Sequence, residues 1–153
     1  MKRIHLDANV VLRFLRNDDP LQSLQAAALF QQAQASEDIE LIVSAITVME
    51  VFYVLNRAYG LPRAEVARIL AEFLHTGVAT CVEDEIVLDA LARITGQKIS
   101  FGDAYLAAST AMDNAEAASF DQGMRSFSDA RLYRWQGGEI NAPTPPGTED
   151  HRR

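Results

Sequence analysis

A chain of 153 residues, 48% of them hydrophobic, is long enough for one domain with a buried core. The formal net charge of −7 argues against a broad basic surface. It is compatible with a cluster of carboxylates, because bound cations would reverse the local charge of such a cluster. The single cysteine, Cys81, excludes an internal disulfide framework and a multi-cysteine zinc site, and charges interrupt every apolar run before it could span a membrane.

The first quarter of the chain contains two predicted strands and two predicted helices. Residues 4–6 form a short strand, and the acidic residue that follows comes too early for a signal peptide. A cytoplasmic location is therefore expected. A helix over residues 10–15 and a strand over residues 40–43 flank a helix over residues 21–35. The helical spacing predicts that one face of the longer helix is apolar and comprises Leu21, Leu24, Ala28 and Leu29.

The middle of the chain contains two further predicted helices. Either Ser44 or Thr47 begins the first, which ends at Gly60. The second begins at Pro62, because proline suits the first helical position. A strand over residues 78–82 follows.

The remainder of the chain repeats the alternation. Helices are predicted over residues 83–95 and from Ser100 to about residue 114, and strands over residues 117–120 and 131–135. Strands that alternate with helices predict an α/β domain over residues 1–136, with a mainly parallel sheet of four to five strands. Glycine and proline are frequent in residues 137–153, which predicts a disordered tail.

Four carboxylates lie where strands lead into helices. Asp7 and Asp121 directly follow predicted strands, whereas Glu50 and Asp103 lie early in predicted helices. In a parallel sheet all four can project toward the carboxyl edge, where ligands of α/β folds bind. Neighbouring carboxylates repel one another unless protons or cations occupy the site, and their oxygens suit Mg²⁺ or Mn²⁺.

Each of these acids also has a purely structural interpretation. Asp7 is a possible helix cap, and Asp121 a possible turn residue before a glycine. Glu50 and Asp103 each lie three residues after a hydroxyl residue, which is the spacing of a capping box. The residues alone leave both interpretations open.

The segments around these acids resemble the four motifs of PIN-domain nucleases, and most closely those of VapC-type toxins of toxin–antitoxin pairs. The resemblance covers residues 1 to about 135 and rests on residues 4–12, 48–55, 100–109 and 119–124. It implies a three-layer α/β/α sandwich and a Mg²⁺- or Mn²⁺-dependent endoribonuclease. Asp7, Glu50, Asp103 and Asp121 would be the catalytic and metal-binding acids.

The resemblance also implies roles for neighbouring residues and for partners. Asn9 and Ser119 would orient the acids. Ala8 and Met124 depart from the family pattern, which often has a hydroxyl residue and an aromatic residue at these positions. A cognate antitoxin and a homodimer are expected, and no membrane association. The antitoxin would bind an apolar groove between two helical segments, unless the same residues pack in the core: Leu12, Phe14, Leu15, Phe52, Tyr53 and Tyr59.

RNA phosphates would be bound by basic residues near the motifs, although solvated helix charges explain the same residues equally well. The candidates are Arg13, Arg16, Lys98 and Arg125. The three histidines, His5, His75 and His151, are predicted to be surface or packing residues.

Three other functions were weighed against metal-dependent RNA cleavage. A receiver-type phosphoacceptor domain needs an acidic pair after the first strand, and a haloacid-dehalogenase-type phosphatase needs Asp-x-Asp. Residue 9 is asparagine, which disfavours both. A degenerate domain that binds RNA or protein without cutting remains the main alternative.

Overall fold

The computed structural model describes residues 1–136, and the predicted tail over residues 137–153 lies outside them. Helices and strands alternate through the described part of the chain. The strands are β1 (Lys2–His5), β2 (Ile39–Val43), β3 (Thr80–Cys81), β4 (Glu116–Ala117) and β5 (Arg131–Leu132). The α-helices are α1 (Ala8–Arg16), α2 (Pro20–Ala35), α3 (Ala45–Tyr53), α4 (Arg63–His75), α5 (Asp84–Gly96) and α6 (Phe101–Met112).

The strands pair in parallel, as the alternation of elements predicted. β1 pairs with β2, with His5 opposite Ile42, and β2 pairs with β3, with Val43 opposite Cys81. β4 and β5 form a separate parallel pair. The α/β sandwich with parallel strands is therefore confirmed, but the five described strands divide into sets of three and two. The carboxyl ends of β1, β2 and β3 share one edge, which leads into α1, α3 and α5.

One continuous hydrophobic core joins the sheet to the helices. α4 packs against α5 and α5 against α6, while α1 packs against both α2 and α3. Phe52 of α3 lies fully buried, and its ring contacts that of Phe101 at the start of α6 with 5.8 Å between centroids. These contacts link α1, α3 and α6 through the core.

Hydroxyl and carboxylate side chains begin several helices. Asp7 Oδ1 accepts from the backbone N–H of Asn9 at 2.7 Å, and Asp19 Oδ1 accepts from that of Gln22 at 2.9 Å. Ser44 and Ser100 cap α3 and α6, since each hydroxyl oxygen accepts from the backbone N–H three residues later at 3.1 Å. Such caps satisfy donors that the first turn leaves unpaired.

The structure corrects the predicted face of α2. Leu21 and Leu24 are 67% and 71% exposed, and the buried positions are Ser23, Ala26 and Phe30. Apolar residues occur all round this helix, so spacing alone did not distinguish its faces. The Phe30 ring decides the orientation, because it stacks on Phe14 of α1 with 3.9 Å between centroids.

Other boundaries also differ from the prediction. α3 continues as a π-helical turn over Val54–Ala58 before Gly60, whose φ of 70° favours glycine. Pro62 precedes α4 instead of occupying its first position. A 3₁₀ helix over Gln122–Ser126 was not predicted. No helix within residues 1–136 combines the length and apolar character that crossing a membrane requires.

Candidate active site

Asp7 lies just beyond the carboxyl end of β1 and is exposed. Its Oδ1 caps α1 by accepting a hydrogen bond from the backbone N–H of Asn9, so the interpretation of Asp7 as a helix cap is correct. A carboxylate has about four acceptor sites, and this bond occupies one of them. Asp7 therefore retains acceptor capacity for another ligand. Asn9, predicted to orient Asp7, does so through its main chain in this structure.

Glu50 lies on α3 and is exposed. The predicted capping box from Thr47 to Glu50 is wrong, because α3 begins one turn earlier with Ser44 as its cap. Within residues 1–136 the Glu50 carboxylate makes no hydrogen bond or ion pair with another side chain. The start of α3 therefore does not depend on the Glu50 side chain.

Asp103 and Asp121 are brought together by the fold. Asp103 lies in the first turn of α6, where Ser100 Oγ accepts from its backbone N–H. The 3₁₀ helix that Asp121 caps packs against α6, and the carboxyl group of Asp121 is near enough to raise the pKa of Asp103. The structure thus makes neighbours of Asp103 and Asp121, which are 18 positions apart in the chain, whereas the convergence of all four acids stays a prediction.

Two neighbours set the position of Asp121. Ser119 Oγ accepts from its backbone N–H at 3.0 Å, and its own Oδ1 accepts from the backbone N–H of Gly123 at 2.8 Å. A Cβ at residue 123 would lie 3.2 Å from that same Oδ1, so glycine gives the carboxylate room to fold back over the turn. Met124, which stands where the family often has an aromatic residue, is fully buried and packs in the core.

The complete quartet is not assembled as a metal cage. Within residues 1–136, no three aspartate, glutamate, histidine or cysteine side chains are close enough to hold one ion. The elements that carry the four acids nevertheless form a chain of contacts, with α1 against α3, α3 against α6, and α6 against the 3₁₀ helix. Two adjacent carboxylates with further acids on neighbouring elements fit a hard divalent cation, since such ions prefer oxygen ligands.

Burial and charge act on Asp103 in the same direction. Partial burial, and then the nearby carboxyl group of Asp121, raise the pKa of Asp103, while its hydrogen bond with Ser100 opposes the rise. At neutral pH, folding therefore brings an ionised Asp103 into an environment that disfavours its charge. A proton or a cation between the two carboxyl groups relieves that cost.

We expect the Asp121→Asn variant to melt at a higher temperature than wild type in a chelating buffer at neutral pH. Asparagine removes the charge near Asp103 but caps a helical turn as well as aspartate does. Because the folded pKa of Asp103 is raised, wild type should regain this stability as the pH falls through the folded pKa toward the unfolded value. The advantage of the variant should therefore shrink in acid.

The same melts test cation binding. At ten times its dissociation constant, Mn²⁺ should stabilise wild type by about 1.4 kcal/mol, or roughly 3–6 °C for a domain of this size. Asp121→Asn should show a smaller rise, and the control Asp113→Asn, which removes an exposed carboxylate at the end of α6, should behave as wild type. A less stable Asp121→Asn together with a wild type insensitive to Mn²⁺ would argue against a cation site here.

The four basic candidates differ in their availability. Arg13 bonds to Asp18 at 2.8 Å and to Gln22, and the guanidinium of Arg16 lies over the Tyr59 ring. Lys98 and Arg125 are exposed and make no ion pair within residues 1–136. Arg125 is four residues from Asp121, so it is the candidate that the structure favours most for a phosphate contact.

The predicted antitoxin groove is largely part of the core. Leu12 and Phe52 are buried, and Phe14 stacks on Phe30. For these residues the core-packing interpretation is correct. Tyr59, which is partly exposed, bonds through its hydroxyl to Asp18. His5 and His75 are exposed, as predicted, and His151 lies outside the described residues.

One anchor of the site was missed by the sequence analysis. Arg93 of α5 bonds to Asp129 through two N–H groups, at 2.6 and 2.8 Å, and to Asp89 at 2.9 Å. Its guanidinium also lies 4.9 Å from the centre of the Phe127 ring. The i, i+4 spacing of Asp89 and Arg93 was visible in the sequence, but the bond that fastens the segment after the 3₁₀ helix spans 36 positions.

A cavity of about 350 Å³ lies away from the acids. Its lining includes Met1, Ile39 and Val78, which are at or before the amino ends of β1, β2 and β3. None of the predicted site residues lines it. The candidate site is therefore not this cavity but the surface where α6 and the 3₁₀ helix carry Asp103 and Asp121.

The chain matches a known protein family. The sequence model of the family described as PIN domain matches residues 4–130, which is most of the chain and includes all four acids. No curated protein matches the chain.

Proposed function

Because the chain belongs to the PIN-domain family, we propose that it is a Mg²⁺- or Mn²⁺-dependent endoribonuclease that acts as the toxin of a toxin–antitoxin pair. The observation that carries the proposal is the approach of the Asp103 and Asp121 carboxyl groups, which lie on different elements within the matched region. Caps and turns explain each acid singly, but they do not require two carboxyl groups to meet.

Each residue has a defined task in this proposal. Asp103 and Asp121 hold the cation, with Asp7 and Glu50 completing the acidic face. Ser119 and Gly123 fix Asp121, and Ser100 fixes the start of α6 that carries Asp103. When bound, a divalent cation supplies an activated water and offsets charge on the phosphate oxygens. Arg125 binds a phosphate of the RNA backbone, which positions the strand without reading its sequence.

The test is cleavage of an RNA that contains an unpaired loop. Purified protein with Mg²⁺ or Mn²⁺ should cut it and leave 5′-phosphate and 3′-hydroxyl ends, and a chelator should abolish the reaction. Cleavage that persists in chelator would refute a metal-dependent site. A protein that binds this RNA but never cuts it would support the degenerate alternative, which the absence of a three-ligand cluster in residues 1–136 favours.

The toxin role has its own test in cells. The motif resemblance to VapC-type toxins supports it, and it implies a cytoplasmic nuclease that is held in check by an antitoxin and forms a homodimer. Expression of the chain alone should slow growth of the host, and co-expression of a neighbouring antitoxin gene should restore it. Growth inhibition that Asp103→Asn leaves unchanged would point to aggregation or another activity.

A further inference from the structure

Three aromatic side chains are exposed together beside Asp121. They are Phe120, Tyr133 and Trp135, which we call the aromatic cluster, and they are 52%, 38% and 41% exposed. The rings of Phe120 and Trp135 stack at 4.5 Å with an interplanar angle of 11°. Tyr133 meets Trp135 edge-on at 5.2 Å. The cluster is therefore an ordered aromatic surface and not a set of scattered apolar residues.

The backbone ties this surface to the candidate site. Phe120 directly precedes Asp121, so their Cα atoms are about 3.8 Å apart. On the other side, the backbone N–H of Tyr133 donates to the carbonyl oxygen of Ala117 at 2.8 Å, which continues the pairing of β4 with β5. The cluster is thus joined to Asp121 directly through the backbone of Phe120.

The local charge differs from that of the whole chain. Residues 119–136 contain three arginines, Arg125, Arg131 and Arg134, against Asp121 and Asp129. Asp129 is paired with Arg93, which leaves an excess of positive charge in this segment although the chain carries −7 overall. Arg134, between Tyr133 and Trp135, is exposed. Exposed aromatic faces next to arginines are the combination that binds unpaired nucleotides, because bases stack on the rings while the cations meet phosphates.

We propose that the aromatic cluster is a stacking platform for one or two unpaired bases of a single-stranded RNA segment, next to the phosphodiester bond held at Asp103 and Asp121. This inference rests on the proposed ribonuclease function and adds the surface that binds unpaired bases beside the acids, namely the aromatic cluster. A duplex would bind poorly at the platform, because its bases are already stacked on one another.

The chain provides its own probe, because Trp135 is its only tryptophan. Full-length protein in chelating buffer is titrated with an eight-nucleotide single-stranded RNA, and tryptophan fluorescence is recorded. Base stacking should quench the emission in a saturable manner, and the same sequence in a duplex should quench far less. Binding without cleavage is measured in this way, so the result does not depend on catalysis.

The variant Phe120→Leu tests the platform while leaving Trp135 in place as the reporter. Loss of one stacking partner should weaken single-strand binding by about 5- to 150-fold. In the metal-supplemented reaction it should raise KM with little change in kcat. Leu24→Ala, which truncates a more exposed apolar side chain on α2, is the control and should bind as wild type. If Phe120→Leu melts early, Tyr133→Leu replaces it in the same measurements.

The outcomes separate this inference from the proposed function. Saturable quenching that Phe120→Leu weakens supports the platform even if no cleavage is found. Three results would overturn the platform while leaving the nuclease, provided that cleavage is found. They are equal quenching by single strand and duplex, no quenching at all, and an RNA affinity that neither Phe120→Leu nor Tyr133→Leu changes. Self-association that Phe120→Leu abolishes while RNA affinity stays unchanged would overturn it in favour of a contact between two copies of the chain.

Discussion

Replacing Asp103 with asparagine is expected to lower RNA cleavage by about 10³-fold or more, because it removes a charged cation ligand without changing side-chain size. The fold should survive, since Ser100 caps α6 through the backbone N–H of residue 103, which asparagine retains. The measurement is single-turnover cleavage of a loop-containing RNA at saturating Mn²⁺. A matched melting curve checks that the variant is folded.

Asp113→Asn is the control on the same helix. Asp113 is an exposed residue at the carboxyl end of α6, and its replacement removes one charge at the other end of the helix. We expect cleavage within about twofold of wild type, because exposed charges distant from the site contribute little. If Asp103→Asn cleaves RNA as fast as Asp113→Asn, then the Asp103–Asp121 pair is not the reacting centre.

The second large effect is expected at Arg93, where Arg93→Ala should lower the free energy of unfolding by about 2–3 kcal/mol. For a domain of this size that corresponds to a melting temperature lower by roughly 4–12 °C. The side chain is nearly buried and packs over Phe127, whereas its partners Asp89 and Asp129 remain accessible enough to be rehydrated. Most of the lost stability therefore comes from the packing and hydrogen bonds of the Arg93 side chain, and little from leaving Asp89 and Asp129 unpaired.

Two further variants identify the part of Arg93 that matters. Arg93→Met keeps the apolar stem over Phe127 and should recover part of the stability, whereas Arg93→Lys cannot reproduce the two bonds to Asp129. Hydrogen bonding by Arg93 lowers the pKa of Asp129, so this part of the stabilisation is lost as the pH falls through the folded pKa of Asp129. An Arg93→Ala protein that melts like wild type would show that the segment after Asp121 is held by Met124 and Phe127 alone.

Asp103 and Asp129 have pKa values shifted in opposite directions, so they predict opposite responses to acid. Protonation relieves the unfavourable approach of Asp103 to Asp121, but it removes the favourable pair between Arg93 and Asp129. Wild type in chelator and Arg93→Ala in chelator therefore separate the two contributions when melts are compared between pH 7 and a pH below the folded pKa of Asp129, which lies under the ordinary aspartate value of 3.8. Acid should narrow the stability difference between wild type and Arg93→Ala.

The sequence by itself determined the alternation of strands and helices, because apolar periodicity and capping residues are local properties. Ser100 and the apolar positions of α6 predicted that helix to within two residues at its carboxyl end. The position of Asp7 after β1 was visible for the same reason, whereas Asp121, which was predicted to follow a strand directly, lies four residues beyond Ala117, the last residue of β4. The family motifs around the four acids then predicted the PIN-domain fold.

Only the tertiary structure decided which surfaces face one another. Local spacing could not tell that α2 buries Phe30 and exposes Leu24, because that choice depends on Phe14 in another helix. The approach of Asp103 to Asp121 depends on how the 3₁₀ helix packs against α6. The exposure of Phe120 beside Trp135 likewise joins residues from two sides of the β4–β5 pair. Contacts of this kind depend on packing across the whole core, which the periodicity of a single helix or strand does not describe.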